Sequence, residues 1–597
     1  GSQNVAVGRG ASAYNTTASF NTAVGYYALL DATTGFSNTA IGYSSQQECT
    51  GGNNNTSIGR ETLYTNTLAD RNVAIGYRSL YLTNRTSSAD TYNVGVGNES
   101  LYSNTTGAFN TAIGGLALYN NTTADSNTAV GYAALQSNTT GQYLTSVGYQ
   151  SLDANTTGTR NTAVGYQAAT ALTTGDNNVA VGSFALISAT TGNNCTAIGH
   201  TTLENCTGAN NTAVGSNCLT ATTTGFSLTG VGKSALAANT TGEYNVAVGE
   251  NALTSVTTGD RNTAIGTFSL DANTGSYNTA VGMYALYSNV AAQFNTAVGY
   301  QALNANTTSE NNTATGYNAL VACTTGGNNT SLGAYSSTVM TTASQNVAVG
   351  VSSQRWSTGS NNTSLGMEAL RGAASNAQAT GGRNVAVGTG AMEDSNGNGY
   401  RNVAIGYQAL RNGGALNSNV CVGHMAGDVL TTGNKNVLIG PDTDTDANNR
   451  NQAIALGPDV STHAAENSFR VKGEGGVYNT GNTSSWNTTS DQRIKKNIVD
   501  STVGLAEINQ IKVRNFEYRT AEEITDSALQ SYDLNQIAVK MTGVQVGCIA
   551  QELETVIPSA VIEDDRGVKN VQPDELTWHL IKAVQELSAK VAALEAA

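Results

Sequence analysis

Asn402-Val403-Ala404-Ile405-Gly406-Tyr407-Gln408-Ala409-Leu410 is the stretch from which the fold of this chain is read. Two β-branched residues flank an alanine, a glycine closes the run, and an Ala-Leu pair follows two residues later. In an extended chain successive side chains point to opposite faces, so Val403 and Ile405 share one face and Ala404 takes the other. The phrase recurs from Asn4 to Ala453, each copy followed by a polar stretch that often ends Asn-Thr-Thr-Gly. There are 27 units and 26 intervals, of which 20 are 17 residues, three are 16, and the others are 18, 21 and 22. A period this strict specifies a stacked architecture that counts as one structure however long it runs.

Leucine-rich repeats need about 20 residues or more and helical repeats need over about 30. The shorter unit fits one coil of a parallel β-solenoid, with two short strands and two turns expected per coil. The reading places the Val/Ile face inside the coil and leaves the Ala and Gly ladders where another backbone comes close. Leucine nine positions into the unit (Leu29, Leu135, Leu303, Leu410) is expected to plug the rest of the core. Thr-Thr-Gly is expected to turn the chain, its glycine taking positive φ. At the strand spacing of about 4.8 Å per coil the array would run roughly 130 Å.

Composition agrees with an ordered fibre. Charged residues make up 12% of the 597, Pro is nearly absent (4) and Gly is abundant (66), which is not the charge-rich, proline-rich profile of a disordered chain. A net charge of −14 with no basic stripe excludes a nucleic-acid partner from the expectations. No apolar run is long enough for a membrane-spanning helix, so no membrane insertion is expected. The seven cysteines (Cys49, Cys195, Cys206, Cys218, Cys323, Cys421, Cys548) show no CxxC spacing and read as small buried hydrophobes. The four histidines are far apart, and neither a metal site nor a cofactor is expected.

Three features of the array bear on ligands. The long intervals hold insertions, Tyr81 to Tyr92 and Arg371 to Arg383, that read as surface loops. Tyrosines after the motif glycine (Tyr26, Tyr77, Tyr132, Tyr166, Tyr300, Tyr407) form a ladder that either packs on itself or stacks on sugar rings. Acids share one place in the unit (Asp70, Asp125, Asp176, Glu243, Asp260, Glu310), and only Glu243 and Asp260 are one coil apart. That pair is the only candidate for two-carboxylate glycoside hydrolysis, against the plainer reading of Asp as a turn residue.

The array ends near residue 457. A connection follows over 458–489, with a short alternating strand from Asn467 to Gly473, a Gly475-Gly476 turn and Val477 to Asn479 pairing back as a hairpin. Residues 490–597 are ordinary globular sequence. The expected elements are a helix or turn near 493–510, strand 513–519, strand 544–549, helix 550–555, strand 560–562, a hairpin around 565–567 and a final helix. That helix, 574–597, carries a heptad with Leu580, Leu587 and Leu594 at d and Val584 and Val591 at a, a pattern that by itself favours two strands.

The repeat resembles the head repeats of trimeric autotransporter adhesins and the shaft repeats of bacteriophage tail fibres. This resemblance implies a mainly β chain, a trimeric parallel β-roll followed by a small α+β domain. Ser490-Asp491-Gln492-Arg493-Ile494-Lys495-Lys496-Asn497-Ile498, then Gly547-Cys548-Ile549-Ala550-Gln551-Glu552-Leu553 and Val556-Ile557-Pro558, resemble the self-cleaving intramolecular chaperone domain of phage endosialidases and tail fibres, also found in a myelin regulatory factor. That family implies a homotrimer that guides folding of the upstream fibre and is released by autoproteolysis, with Ser490 as nucleophile and Lys495 as general base. Asp491 and Arg493 would orient the segment. The chain departs from the pattern at Asn515, where an apolar strand residue is expected. The resemblance further implies a virion tail fibre assembled in host cytoplasm, joined to other tail proteins upstream and attaching to a carbohydrate receptor on the host surface. A bacterial surface adhesin built on the same β-roll is the alternative, and an ice-binding solenoid would need a flat exposed threonine array.

Overall fold

The structure, a computed structural model, describes residues 1–372, 380–394, 399–445, 447–462, 469–471, 477–479, 499–526, 543–563 and 568–596. It divides into two compact units, Gly1–Thr488 and Thr489–Ala597.

In the first unit each of the 27 repeats contributes one three-residue strand, from Val5–Val7 to Ile454–Leu456. Each strand pairs in parallel with its counterpart one coil away, without slip: Thr128 lies beside Thr111 on one side and Thr145 on the other. The coil that begins at Asn127 shows how 17 residues close. Ala129, Ala134 and Leu135 are fully buried, as are Asn127 and Asn138. Thr128 is exposed and Val130 half-buried.

The facing of the strand is therefore the reverse of the expectation. Ala is inside and the β-branched pair is outside. Alternation fixes which residues share a face but not which face is in, and the interior decides that. Leu135 fills the narrow cross-section, leaving room opposite for a methyl group only; the leucine expectation holds. Where a larger strand residue appears inside, as with Leu438, the facing side is rebuilt with Gly427, whose Cβ would lie 2.5 Å from Cys421 Sγ.

The second strand per coil is also absent along most of the array. Instead the chain bends through left-handed residues, Ala133 (φ 55°), Leu135 (φ 55°) and Tyr143 (φ 60°). The Ala133 amide donates back to the Gly115 carbonyl (2.9 Å), and the Leu135 amide donates forward to Ser151 (3.0 Å). Alternating right- and left-handed residues keep the amides pointing along the stack while the chain turns across it. Each such residue costs on the order of 1 kcal/mol, offset by an inter-coil hydrogen bond.

The glycine of Thr-Thr-Gly does not take positive φ; the motif glycine does, Gly131 at 136°. Gly141 is small for another reason. A Cβ there would lie 2.3 Å from the Gly158 carbonyl oxygen of the next coil.

Asparagine abundance has a structural cause. Asn127 Nδ2 donates to Gly141 O (2.9 Å), and its backbone amide donates to Asn110 Oδ1 in the preceding coil (3.0 Å). Asn138 Nδ2 donates to Asn121 Oδ1 (3.0 Å) and to the same Gly141 carbonyl (3.1 Å). Two buried amide ladders thus run along the unit and satisfy turn carbonyls that water cannot reach.

At the junction, Val477–Asn479 returns antiparallel to Phe469–Val471, the hairpin that the sequence reading has, and Phe469–Val471 adds in parallel to the last coil, a pairing that the reading did not include.

In the second unit, strand Arg514–Phe516 pairs antiparallel with Gln545–Gly547, and Val561–Glu563 pairs antiparallel with Lys569–Val571. Helices span Leu505–Ile508, Ala550–Glu554 and Pro573–Glu595. A small core of Leu553, Ile557 and Ala560 is covered by Val503, Ile508, Ile511, Val571 and Leu576. Among the described residues, no helix is long and apolar enough to cross a membrane.

Candidate self-processing segment and binding surfaces

Ser490 and Lys495, with Asp491 and Arg493, lie outside the described residues. The described part of this unit begins at Val499. The first turn after it is tied to the terminal helix at two points. Glu586 Oε2 accepts the Leu505 amide (2.9 Å), and Ser501 Oγ lies 3.2 Å from His579 Nδ1. The Gly504 amide donates to Glu507 Oε2 (2.9 Å), and this contact holds the Glu507 carboxyl below the usual range. A Cβ on Gly504 would meet Glu586 Oε1 at 2.4 Å, so a larger residue there would displace the Glu586 carboxylate from its bond to Leu505.

The Gly-Cys-Ile-Ala-Gln-Glu segment packs by the same logic. Gly547 lets the edge of Phe516 approach, since a Cβ would lie 3.2 Å from its ring. Glu552 receives Arg514 through two bonds, Nη2–Oε1 2.8 Å and Nε–Oε2 3.2 Å, and the guanidinium holds its carboxyl below the ordinary range. Lys569, on the returning strand of the second hairpin, pairs with Glu554 at the end of the helix Ala550–Glu554 through one contact. Sequence reasoning missed these two ion pairs, whose partners are 38 and 15 residues apart. Asn515, the departure from the family pattern, is exposed and sits opposite exposed Val546, so it takes no place in the core.

The terminal helix has two unlike faces. Ala583 is buried, and Glu586 faces the turn at 504–505. Leu580, Val584, Leu587, Val591 and Leu594 are 44–78% exposed within one chain. These residues form one continuous apolar heptad stripe along the helix.

On the solenoid unit the acids fall to the plainer reading. Asp260 Oδ1 accepts the Glu243 backbone amide (2.8 Å), and Asp70, Asp125 and Asp176 accept the amides of Asn53, Ala108 and Thr159 in the same way. They fasten one coil to the preceding one rather than converge on a cleft. The tyrosine ladder packs on itself: Tyr132, Tyr149 and Tyr166 stack at 5.6 and 5.3 Å, face to face, with their edges exposed. A second stack that sequence reasoning missed runs Tyr64, Tyr81, Tyr102 and Tyr119 at 5.0–5.2 Å. Its signal was the aromatic at position 10 of four successive units.

The first insertion adds a parallel pair, Ala69–Asp70 with Ala89–Asp90. The second begins at Arg371, held by Glu368 (3.0 Å), Glu393 (2.9 Å) and Asp394 (3.0 Å); residues 373–379 of it lie outside the described residues. Among the described residues, no cluster of three or more His, Cys, Asp and Glu is arranged to hold a metal ion.

No curated protein and no solved structure matches the chain. Residues 490–562 match the family model described as chaperone of endosialidase. The chain therefore joins a segment similar to the endosialidase chaperone to a long parallel β-solenoid of 17-residue coils, a combination consistent with a tail-fibre-like protein.

Proposed function

We propose that this chain is a phage-type tail fibre that works as a homotrimer. Its solenoid is the shaft that serves host attachment in the virion, with a surface carbohydrate as receptor and other tail proteins upstream. Residues 490–597 gather three copies, assist folding of the shaft, and release themselves by autoproteolysis. The observation that carries this reading is the family match at 490–562 on a chain whose array of 27 similar coils precedes it, with the connection 458–489 between them.

The physical need is clear from the ladder. Identical three-residue strands pair equally well after a slip of one coil, so neighbouring chains have no local means of choosing register. Non-local parallel pairing is also slow. A separate domain that associates first removes the ambiguity, and the exposed heptad supports such a role. The outward Val and Ile of the strands, with Ile113, Ile265 and Ile405 each about two-fifths exposed, supply an apolar stripe that neighbouring copies would cover.

In the self-processing step Lys495, in its neutral form, takes the proton of the Ser490 hydroxyl, and the oxygen attacks the adjacent peptide carbonyl. The C–N bond breaks, the departing amine takes the proton back from Lys495, and water hydrolyses the resulting ester to a carboxylate and the free Ser490 hydroxyl. Burial of a lysine disfavours its charged form, which is how a lysine becomes a usable base. Release then leaves a shaft whose persistence rests on its unfolding barrier.

Intact mass under denaturing conditions tests the cleavage. Wild type is expected as two fragments and Ser490→Ala as one full-length species. Uncleaved wild type, or a cleaved Ser490→Ala chain, would contradict the reading. For assembly, light scattering of Leu587→Asp in the Ser490→Ala background is expected to show loss of the trimer at low micromolar concentration, because a carboxylate in an apolar seam costs several kcal/mol.

A further inference from the structure

One coil departs from the asparagine ladders at both of its ladder positions. In the unit that begins at residue 195, Cys195 stands at position 1, between Asn178 and Asn211 of the adjacent coils, and Cys206 at position 12, between Ala189 and Thr222; coils such as the one that begins at Asn127 carry Asn at both positions. In those coils the two side chains converge on one turn carbonyl, as Asn127 and Asn138 do on Gly141. The cysteines keep this convergence: Cys195 Sγ lies 3.3 Å and Cys206 Sγ 3.4 Å from the Gly208 carbonyl oxygen. Cys195 Sγ is also 3.5 Å from Asn193 O, and Asn211 Nδ2 donates to Cys206 Sγ (3.1 Å). Both thiols are fully buried and both are reduced in this structure.

We propose that Cys195 and Cys206 are an oxidation site of the shaft, closing a disulfide within a single coil when the fibre meets peroxide. The fold brings these two sulfurs together because positions 1 and 12 always face the same carbonyl. The other cysteines of the array are at unrelated positions or stand alone at position 12. Cys49, Cys323 and Cys421 have no second cysteine in their coils, and Cys218 sits at position 8.

The pair is also polarised. The Cys206 thiol donates to Cys195, and the backbone amides of Asn211 and Asn210 add to this, so the Cys195 thiol is held below its usual range while that of Cys206 is raised. Burial pushes Cys49 and Cys218 up to about 12 and Cys323 to about 11, which leaves them inert. Cys195 is therefore the attacking sulfur. Its thiolate displaces hydroxide from hydrogen peroxide to give a sulfenic acid. The Cys206 sulfur then attacks that sulfur, the S–S bond forms, and the hydroxyl leaves as water. Two thiols and one peroxide give one disulfide and two waters.

Mass spectrometry of the reduced full chain, treated with hydrogen peroxide, quenched in acid and alkylated with N-ethylmaleimide, tests this directly. Glutamyl endopeptidase cuts after Glu204, between the two cysteines. The expected result is a pair of peptides joined through Cys195 and Cys206, separated again by a phosphine, with both cysteines then alkylated. Cys195→Asn, which restores the residue of both adjacent coils, and Cys206→Ala, which matches Ala189 of the preceding coil, are each expected to abolish the joined pair while the shaft keeps its circular dichroism. Alkylation of both cysteines in the oxidised wild type would overturn the proposal. So would a joined pair that persists in either variant.

Discussion

Gly131→Ala is expected to destabilise the shaft by on the order of 4 kcal/mol, from left-handed strain plus overpacking. The motif glycine carries φ 136°, a region that a Cβ disfavours. The added methyl would also lie 2.3 Å from the Gly148 carbonyl oxygen and 2.7 Å from its carbon, both backbone atoms of the next coil. A rotamer change offers no relief, because backbone must move, and moving it breaks the parallel ladder on that side. Gly115, one position later in its own unit, is the control. Its φ is not in the left-handed region, and a Cβ there would stand 3.5 Å from Tyr132. Gly115→Ala is expected to change stability by less than about 1 kcal/mol. Denaturant unfolding of the Ser490→Ala chain checks both, and equal effects for the two glycines would refute the close-approach account.

The second expected result separates an asparagine inside a ladder from one outside it. Asn138 gives its amide protons to Asn121 Oδ1 and Gly141 O, and its Oδ1 accepts Asn155 Nδ2 at 3.0 Å. Asn138→Val leaves a buried acceptor and a buried donor short of a partner, at a cost of about 2 kcal/mol. Asn239 occupies the equivalent position between Thr222 and Val256, is fully buried, and has no partner for either amide atom. Asn239→Val is expected to stabilise by about 1 kcal/mol, since it removes an unpaired buried amide. Val256, already buried at this position one coil on, shows that the site holds that side chain. The measurement is the shift in denaturant midpoint of each variant. Two shifts of the same sign would mean that the ladders do not determine the cost.

Much of this fold is legible in a single chain. The 17-residue spacing announces stacked coils, and the strands fall at every unit that the spacing marks, including those where Leu144, Cys195, Leu228 and Ala453 replace the first asparagine. The hairpin after the last coil, the hairpin around 565–567 and the terminal helix of the second unit are likewise readable, because local propensity and tertiary packing agree there; the pairing of Arg514–Phe516 with Gln545–Gly547 is not, since 28 residues separate the two strands. The Ser490/Lys495 reading rests on flanking motifs, since a serine with a lysine five residues on carries little information by itself. The Arg514–Glu552 pair was not readable, because nothing local links an arginine in a strand to a glutamate in a distant helix.

Sequence alone determined the period, the number of coils and the alternation within each strand, since all three are properties of spacing along the chain. It also marked where the array stops and a different kind of domain begins. Only the tertiary structure decided that alanine faces inward and valine outward, that one strand rather than two is made per coil, and that the asparagines form buried ladders. Those outcomes depend on how much volume a 17-residue loop can enclose once one leucine occupies it, and on which carbonyls are then cut off from water. Enclosed volume and buried hydrogen-bond demand exist only after the chain has closed on itself.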